Sequence, residues 1–254
     1  MKVIIRPDSA SSAELAARMI ADALRKKPSL VLGLATGRTM ERVYALLSKM
    51  HRNENLDFSG CRTFNLDEYA GISPDSPNSY RHYMKLHLFS KVNIDPKNTR
   101  LPVCSDDDTY AAGAEYEALI RKAGGIDFQL LGIGANGHIG FNEPLTALTS
   151  RTHMAVLAPH TIADNSPLFG DSEPMPSRAM TMGIGTILES RECILVATGS
   201  SKAEALAKAV EGPVSSMVPA SALQFHPNCT IVADSQAAGR LEGGEYYRHI
   251  MRSG

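Results

Sequence analysis

The sequence contains no tryptophan, and aromatic residues make up only 6% of its 254 residues. It has four cysteines, Cys61, Cys104, Cys193 and Cys229, and no two of them form a CxxC pair. A metal cluster held by cysteine is therefore not expected, and scattered thiols favour a reducing compartment. We expect a cytoplasmic protein.

Neither sign of charge is in excess, because 26 basic residues face 27 acidic ones. Nucleic-acid binders usually carry a basic excess or a basic run, so no nucleic-acid partner is expected. No uninterrupted apolar run approaches the length of a membrane span, and the first residues lack an apolar signal core. We expect neither a membrane partner nor a secretion signal.

Apolar segments of strand length alternate with segments of helical periodicity along the chain. Strands are predicted at residues 3–5, 29–34, 62–66, 126–133, 152–157, 179–182, 192–198 and 229–233. Helices are predicted at residues 12–25, 40–50, 79–88, 107–122 and 201–210. This alternation predicts an α/β fold with a single open, mostly parallel, doubly wound sheet and helices on both faces, of Rossmann-like type. No repeat or linker marks a boundary, so residues 1–254 are expected to form a single domain.

In such sheets ligands bind beyond the carboxyl ends of the strands, and two of the predicted strand ends favour an anion. The first carries Thr36, Gly37, Arg38 and Thr39 before a helix, where backbone N–H groups, hydroxyls and a guanidinium can face a phosphate. It is not a P-loop, because GK[ST] is missing, and a plain strand-to-helix turn explains it equally well.

The second anion candidate follows the strand predicted at residues 192–198. Lys202 falls near a helix N-terminus, where the helix dipole disfavours a lysine unless an anion is present. A lysine facing solvent is the simpler alternative. Two such loops facing one acid–base cluster predict a small phosphorylated substrate.

Acid–base candidates follow two other strands. Asp67 and Glu68 stand where the strand at residues 62–66 ends, and neighbouring carboxylates can raise one another's pKa into the range of a general base. The alternative is that both are solvated loop acids.

The loop after residues 126–133 contains four glycines, together with His138 and Glu143. A carboxylate can orient an imidazole and raise its basicity, although a lone histidine is more often structural. A dinucleotide site fits poorly, since no GxGxxG opens a helix here.

Four segments together resemble the glucosamine-6-phosphate deaminase family. They are the strings NLDEY at residues 65–69, GHIGFNEP at 137–144, SRT at 150–152 and GSSK at 199–202. The resemblance covers about residues 31–232. Related 6-phosphogluconolactonases share the fold but usually carry DER and GHTASLF-type strings instead.

The resemblance implies roles for these residues. His138, supported by Glu143 and Asn136, would open the sugar ring, and Asp67 would move a proton from C2 to C1. A substrate site is implied for a further set, namely Thr36, Gly37, Arg38, Thr39, Gly137 and Lys202. Such proton transfers need no metal and no redox cofactor, so none is expected.

The chain departs from the family pattern in four places. Some members have Asp where Asn136 stands, and the first anion loop ends in Thr-Met rather than Thr-Pro. Pro167 replaces an arginine that contacts substrate in the family, which leaves the exact sugar open unless Arg38 or Arg178 compensates. The basic residues that follow the SRT string in allosteric members are absent, so no activation by N-acetylglucosamine 6-phosphate is expected.

Three alternatives remain open at this point. A galactosamine-6-phosphate deaminase/isomerase has a similar histidine loop, and Pro167 motivates it. A 6-phosphogluconolactonase shares the fold, and a non-catalytic sugar-phosphate sensor could reuse it. Self-association is possible, but its size does not follow from the sequence.

Overall fold

The structure is a computed structural model that describes residues 1–102, 109–169 and 174–253. The strands are β1 (Lys2–Arg6), β2 (Val31–Leu34), β3 (Arg62–Asn65), β4 (Asp67–Tyr69), β5 (Thr99–Arg100), β6 (Phe128–Leu131), β7 (His153–Val156), β8 (Arg178–Thr181), β9 (Glu192–Ala197) and β10 (Cys229–Asp234). The helices are α1 (Ser9–Lys26), α2 (Arg38–Glu54), α3 (Tyr80–His87), α4 (Thr109–Lys122), α5 (Pro159–Asn165), α6 (Ile184–Leu188), α7 (Ala203–Val210) and α8 (Gly244–Ser253).

Seven strands form one sheet in the order β1-β10-β9-β6-β2-β3-β5, and all of their pairings are parallel. The central strands β2 and β6 are buried along their whole length, as expected of strands covered on both faces. The predicted open parallel sheet is confirmed.

The direction of winding reverses between β2 and β6. From β2 the chain moves outward to β3 and β5, whereas from β6 it moves the other way to β9 and β10. Right-handed crossovers therefore place α2 and α7 on opposite faces of the sheet. The crossovers from β1 to β2 and from β2 to β3 run in the same direction along the sheet, so α1 and α2 lie on the same face. The two helices pack against each other there.

The first helix illustrates how the local sequence builds this layer. Asp8 caps it, since its carboxylate accepts a hydrogen bond from the Ser11 N–H at 2.8 Å, and the Ser11 hydroxyl oxygen accepts one from the Asp8 N–H at 3.3 Å. Its buried face carries Ala13, Ala16 and Ala17, whose small side chains permit close packing on the sheet.

Two predicted strands do not join the main sheet. Strands β7 and β8, predicted at residues 152–157 and 179–182, form a second, antiparallel sheet with β4 in the order β4-β8-β7. Strand β4 follows β3 after one residue and pairs with β8, so the chain leaves the parallel sheet at Leu66. This small sheet carries Asp67.

Other boundaries agree with the predictions within a few residues. Residues 107–108 of the helix predicted at 107–122 lie outside the described residues, as does Cys104. Cys61, Cys193 and Cys229 are buried free thiols. Among the residues that the structure describes, no helix combines the length and the apolar character needed to cross a membrane.

Candidate active site

The predicted site residues come together at the carboxyl edge of the parallel sheet. Strands β9, β6, β2 and β3 are consecutive neighbours, so the loops that follow them leave the sheet side by side. Ligand sites of open α/β sheets lie where the winding reverses, which here is between β2 and β6. The loop after β2 carries the first anion candidate, and the loop after β6 carries His138.

The two anion-candidate loops touch each other. Thr39 Oγ1 lies 3.3 Å from Thr198 Oγ1, which joins the loop after β2 to the loop after β9. Gly37 and Gly199 have φ values of 113° and 87°, a region that favours glycine, and each directly precedes a helical turn. Arg38 is exposed as the first residue of α2.

Lys202 closes the second loop from a half-buried position. Burial lowers the pKa of its ammonium group, and the negative charge of Asp164 in α5 works in the opposite direction. The loop is held in place by Asp234, whose carboxylate accepts the Gly199 N–H at 3.0 Å. A bound phosphate would stabilise the charged ammonium of Lys202 and so offset the effect of burial on its pKa.

Asp67 and Glu68 point in different directions, because successive residues of a strand alternate between faces. Glu68 accepts the backbone N–H groups of Tyr80 and Arg81, each at 2.9 Å, and thereby anchors the start of α3. Both carboxylates are buried, so the alternative that they are solvated loop acids is wrong.

Asp67 faces the histidine loop. Only 6% of it is exposed, and burial, with a smaller contribution from the charge of Glu68, raises the pKa of Asp67 to about 8. Gly140 passes so close that an added Cβ would stand 3.4 Å from Asp67 Oδ2 and 2.9 Å from Thr181 Oγ1. The positive φ of Gly140, 57°, and this close approach both require a glycine.

The imidazole of His138 packs on the backbone of Gly134. A Cβ added at Gly134 would stand 2.3 Å from His138 Cε1, so any larger residue here would clash with the imidazole. His138 Nδ1 is buried 3.5 Å from Glu143 Oε2 and makes no hydrogen bond of good geometry with a described residue. Gly137, with φ 87°, accepts the Ala220 N–H at 2.8 Å.

Glu143 is fixed by hydrogen bonds to both of its oxygens. Oε1 accepts from the Thr161 hydroxyl at 2.5 Å, and Oε2 accepts from Asn136 Nδ2 at 2.7 Å. Burial works to raise the pKa of Glu143, but the nearby imidazole of His138 and the hydrogen bonds from Thr161 and Asn136 outweigh it and lower the pKa to about 2. Asn136 Oδ1 also accepts a hydrogen bond from the backbone N–H of His138 at 3.2 Å.

Two buried polar residues hold the histidine loop against the small sheet. Asn142 Nδ2 donates to the carbonyls of Ile139 and Met182, each at 2.8 Å, and Thr181 Oγ1 accepts the Phe141 N–H at 3.0 Å. Thr181 is also the register partner of Asp67. The strand of Asp67 and the loop of His138 are therefore fixed to one another.

Sequence reasoning missed three residues of this site, namely Thr161, Thr181 and Tyr80. Tyr80 stacks on Phe141 with an interplanar angle of 9°, and burial raises its pKa above the ordinary value. Thr161 lies in α5, 18 positions after Glu143, where no local motif indicates a contact. The residues between Thr161 and Pro167 form no motif that indicates a function.

The departure at Pro167 lies on the exposed surface, whereas the one at Asn136 lies within the site. Pro167 is exposed in a short 3₁₀ helix, Ser166–Leu168. Arg178 is exposed at the start of β8. Arg151 of the SRT string pairs with Glu117 at 2.5 Å and Glu189 at 2.6 Å, so in this fold it ties loop to helix.

Comparison with known proteins agrees with this geometry. A family model described as glucosamine-6-phosphate isomerases/6-phosphogluconolactonase matches residues 9–232. The glucosamine-6-phosphate deaminase of Rhodopirellula baltica is 51% identical over 242 residues, which cover 95% of this chain and 96% of that protein.

Solved structures give the same relationship. A monomeric glucosamine-6-phosphate deaminase superposes with a TM-score of 0.92 at 45% identity, covering 94% of this chain and 100% of its own. The 6-phosphogluconolactonase of Trypanosoma cruzi, at 20% identity and a TM-score of 0.76 over 95% of this chain and 97% of its own, shares the fold. The chain belongs to the glucosamine-6-phosphate isomerase/6-phosphogluconolactonase family.

Proposed function

We propose that this protein is a glucosamine-6-phosphate deaminase, an enzyme that converts D-glucosamine 6-phosphate and water to D-fructose 6-phosphate and ammonia. The observation that carries the proposal is the opposite environment of two carboxyl groups in one site. The pKa of Asp67 is raised to about 8 while that of Glu143 is lowered to about 2. Carboxyl groups separated in this way take different roles in proton transfer. The deaminases at 45–51% identity support the same assignment.

The phosphate of the substrate binds between the two touching loops. Backbone N–H groups near Gly37, the hydroxyls of Thr36 and Thr39 and the charges of Arg38 and Lys202 surround it. The phosphate does not react, so its binding energy serves to align the sugar carbons with the acid–base groups.

Ring opening is the task of His138. Its imidazole accepts the proton of the C1 hydroxyl and then donates it to the ring oxygen as the bond between C1 and that oxygen breaks, which yields the open-chain aldehyde. The imidazolium so formed is stabilised by Glu143, whose low pKa keeps it ionised. Asn136 holds that carboxylate in place through its amide.

Isomerisation is the task of Asp67. Its carboxylate takes the C2 proton, which gives an enolamine, and returns the proton to C1, which gives an imine at C2. A carboxylate whose pKa is raised by burial is a stronger base than a solvated one. The ammonium group carried by C2 brings a positive charge beside Asp67, which favours the ionised form of the base.

Hydrolysis completes the reaction. Water adds to the C2 imine, and the resulting carbinolamine expels ammonia to leave the ketone of fructose 6-phosphate. Each step transfers protons or adds water, so the chemistry calls for neither a redox cofactor nor a metal. We place the reaction in the cytoplasm, which the buried free thiols support.

A second candidate is the galactosamine-6-phosphate deaminase/isomerase, which handles the C4 epimer. Pro167, where the family has an arginine that contacts substrate, is the observation that favours it. The acid–base assignments are the same in both cases.

Incubation with each of the two amino-sugar phosphates, followed by measurement of ammonia, tests the proposal. Release from glucosamine 6-phosphate should be abolished in His138→Ala and in Asp67→Asn. It should be unchanged in His51→Ala, a control whose histidine contacts the carbonyl of Leu56 at the far end of α2. Release from the galacto epimer alone transfers the function to the second candidate, and no ammonia from either epimer overturns both.

A further inference from the structure

Three side chains of metal-binding type meet beside the histidine loop. His138, Glu143 and His160 each present one donor atom, and these atoms all lie within 4.8 Å of one another. Glu143 Oε2 is 3.5 Å from His138 Nδ1 and 4.0 Å from His160 Nε2. Two imidazoles and a carboxylate form a donor set that Zn²⁺ binds with tetrahedral geometry.

We propose that His138, Glu143 and His160 form an inhibitory binding site for Zn²⁺, with water as the fourth ligand. The ion is a regulator of the site and has no part in the reaction itself. Its binding rests on the arrangement of these three side chains, whereas inhibition also rests on the proposed deaminase function.

The distances suit such an ion. Zn²⁺ bonds of roughly 2.0–2.2 Å place tetrahedral ligand atoms about 3.3–3.6 Å apart. The His138–Glu143 distance of 3.5 Å is already within that range. His160 Nε2 has to move closer to the other two ligand atoms by up to about 1 Å. Its side chain is 45% exposed on the first turn of α5, so it has room to turn.

The surroundings of Glu143 support a ligand role. Thr161 and Asn136 each donate a hydrogen bond to it, and ligating carboxylates are oriented by such bonds. On the other side, His138 Nδ1 is buried with no hydrogen-bond partner of good geometry among the described residues. A buried nitrogen of this kind gains a partner when a cation binds between it and Glu143.

Inhibition follows from what the ion replaces. Zn²⁺ forms bonds to His138 Nδ1 and Glu143 Oε2, and the proton that Nδ1 carried is released to solvent. The positive charge that His138 acquires in ring opening then lies next to a divalent cation and has lost its carboxylate partner. Ring opening is therefore blocked until the ion leaves.

Binding is tested first without substrate. The purified full chain is titrated with CoCl₂, and the visible absorption of tetrahedral Co²⁺ is followed. We expect saturation at one ion per chain, displacement by ZnCl₂ and loss of the band in His160→Ala. The control His249→Ala removes an exposed histidine from α8 and should keep the band. Identical spectra for wild type and His160→Ala would overturn the site.

Inhibition is tested with free Zn²⁺ held constant by nitrilotriacetate, since the substrate phosphate itself binds metal. The free Zn²⁺ concentration for half inhibition should rise at least about 10-fold in His160→Ala, since loss of one ligand weakens a site by that order or more. Activity without metal should stay within about twofold of wild type in His160→Ala and in His160→Gln, which guards against a local defect in α5.

Equal Zn²⁺ inhibition of wild type and both His160 variants contradicts the proposal. The two experiments also distinguish a failure of the metal site from a failure of the deaminase assignment. If the chain releases no ammonia while His160→Ala still abolishes the Co²⁺ band, the metal site stands and the deaminase assignment fails.

Discussion

Asn136 Nδ2 donates a hydrogen bond to Glu143 Oε2 at 2.7 Å, a contact that an ionised aspartate at position 136 could not make. The amide thus supports the carboxylate that faces His138 without adding a charge of its own.

Asn136→Asp is expected to move the acid limb of the kcat/KM pH profile to higher pH. Two carboxyl groups at hydrogen-bond distance retain one proton between them, so one pKa of the pair rises. The protonated pair supports the His138 cation less well until that proton is lost. Asn136→Ala, which adds no acid, should lower kcat without moving the limb. Coincident pH profiles for wild type and Asn136→Asp would contradict this account.

Asp67→Asn is expected to inactivate the enzyme and to stabilise the fold at high pH. The pKa of Asp67 rises from 3.8 to about 8 on folding, so its neutral form is favoured in the native state. Stability from this group is fully present below pH 3.8 and is lost as pH rises through about 8.

The gain from Asp67→Asn should therefore rise from about 1–2 kcal/mol at pH 5 to roughly 4–6 kcal/mol at pH 9, since each pKa unit corresponds to about 1.4 kcal/mol. Urea unfolding at the two pH values measures it. Asp75→Asn, at an exposed position, serves as the control and should show no such pH dependence. A gain that is equal at both pH values would argue against burial as the cause of the raised pKa.

The positions of Asp67 and His138 beyond the carboxyl ends of two strands followed from the sequence, because apolar strands that stop at polar residues mark that edge of a parallel sheet. In the sheet those two strands, β3 and β6, flank β2. The two candidate anion loops were predicted in the same way. Thr161 was not, because its contact with Glu143 depends on how α5 folds back over the site, and that packing leaves no periodic pattern. The separate small sheet was missed for a related reason. Strands β7 and β8 look like any others in sequence, and only their partners distinguish them.

Thr161→Val is expected to reduce kcat/KM by about 10-fold or more. The Thr161 hydroxyl donates to Glu143 at 2.5 Å, and a hydrogen bond to a charged group contributes about 1.5–3 kcal/mol. Steady-state kinetics on glucosamine 6-phosphate measures the loss. Thr161→Ser restores a hydroxyl at the same position and should recover most of the rate. If the valine and serine variants behave alike, the hydroxyl does not support Glu143.

Gly134→Ala is expected to lower kcat by about 100-fold, the size of loss that a displacement of about 1 Å causes in a catalytic group. Its methyl group would fall 2.3 Å from His138 Cε1, so the imidazole has to leave its position. Gly239→Ala is the matched control, because a Cβ there meets nothing within 4 Å. Unchanged kcat in Gly134→Ala would mean that the ring tolerates another position.

The edge of the parallel sheet has a consequence for how this chain is made. Strand β1 has a single neighbour, β10, and Lys2 pairs with Thr230 across almost the whole chain. On the ribosome β1 is synthesised before every other described strand, and its hydrogen-bonding partner β10 is synthesised after all of them. Strand β1 therefore stays unpaired until β10 has been synthesised, and a contact of such large sequence separation forms late in folding.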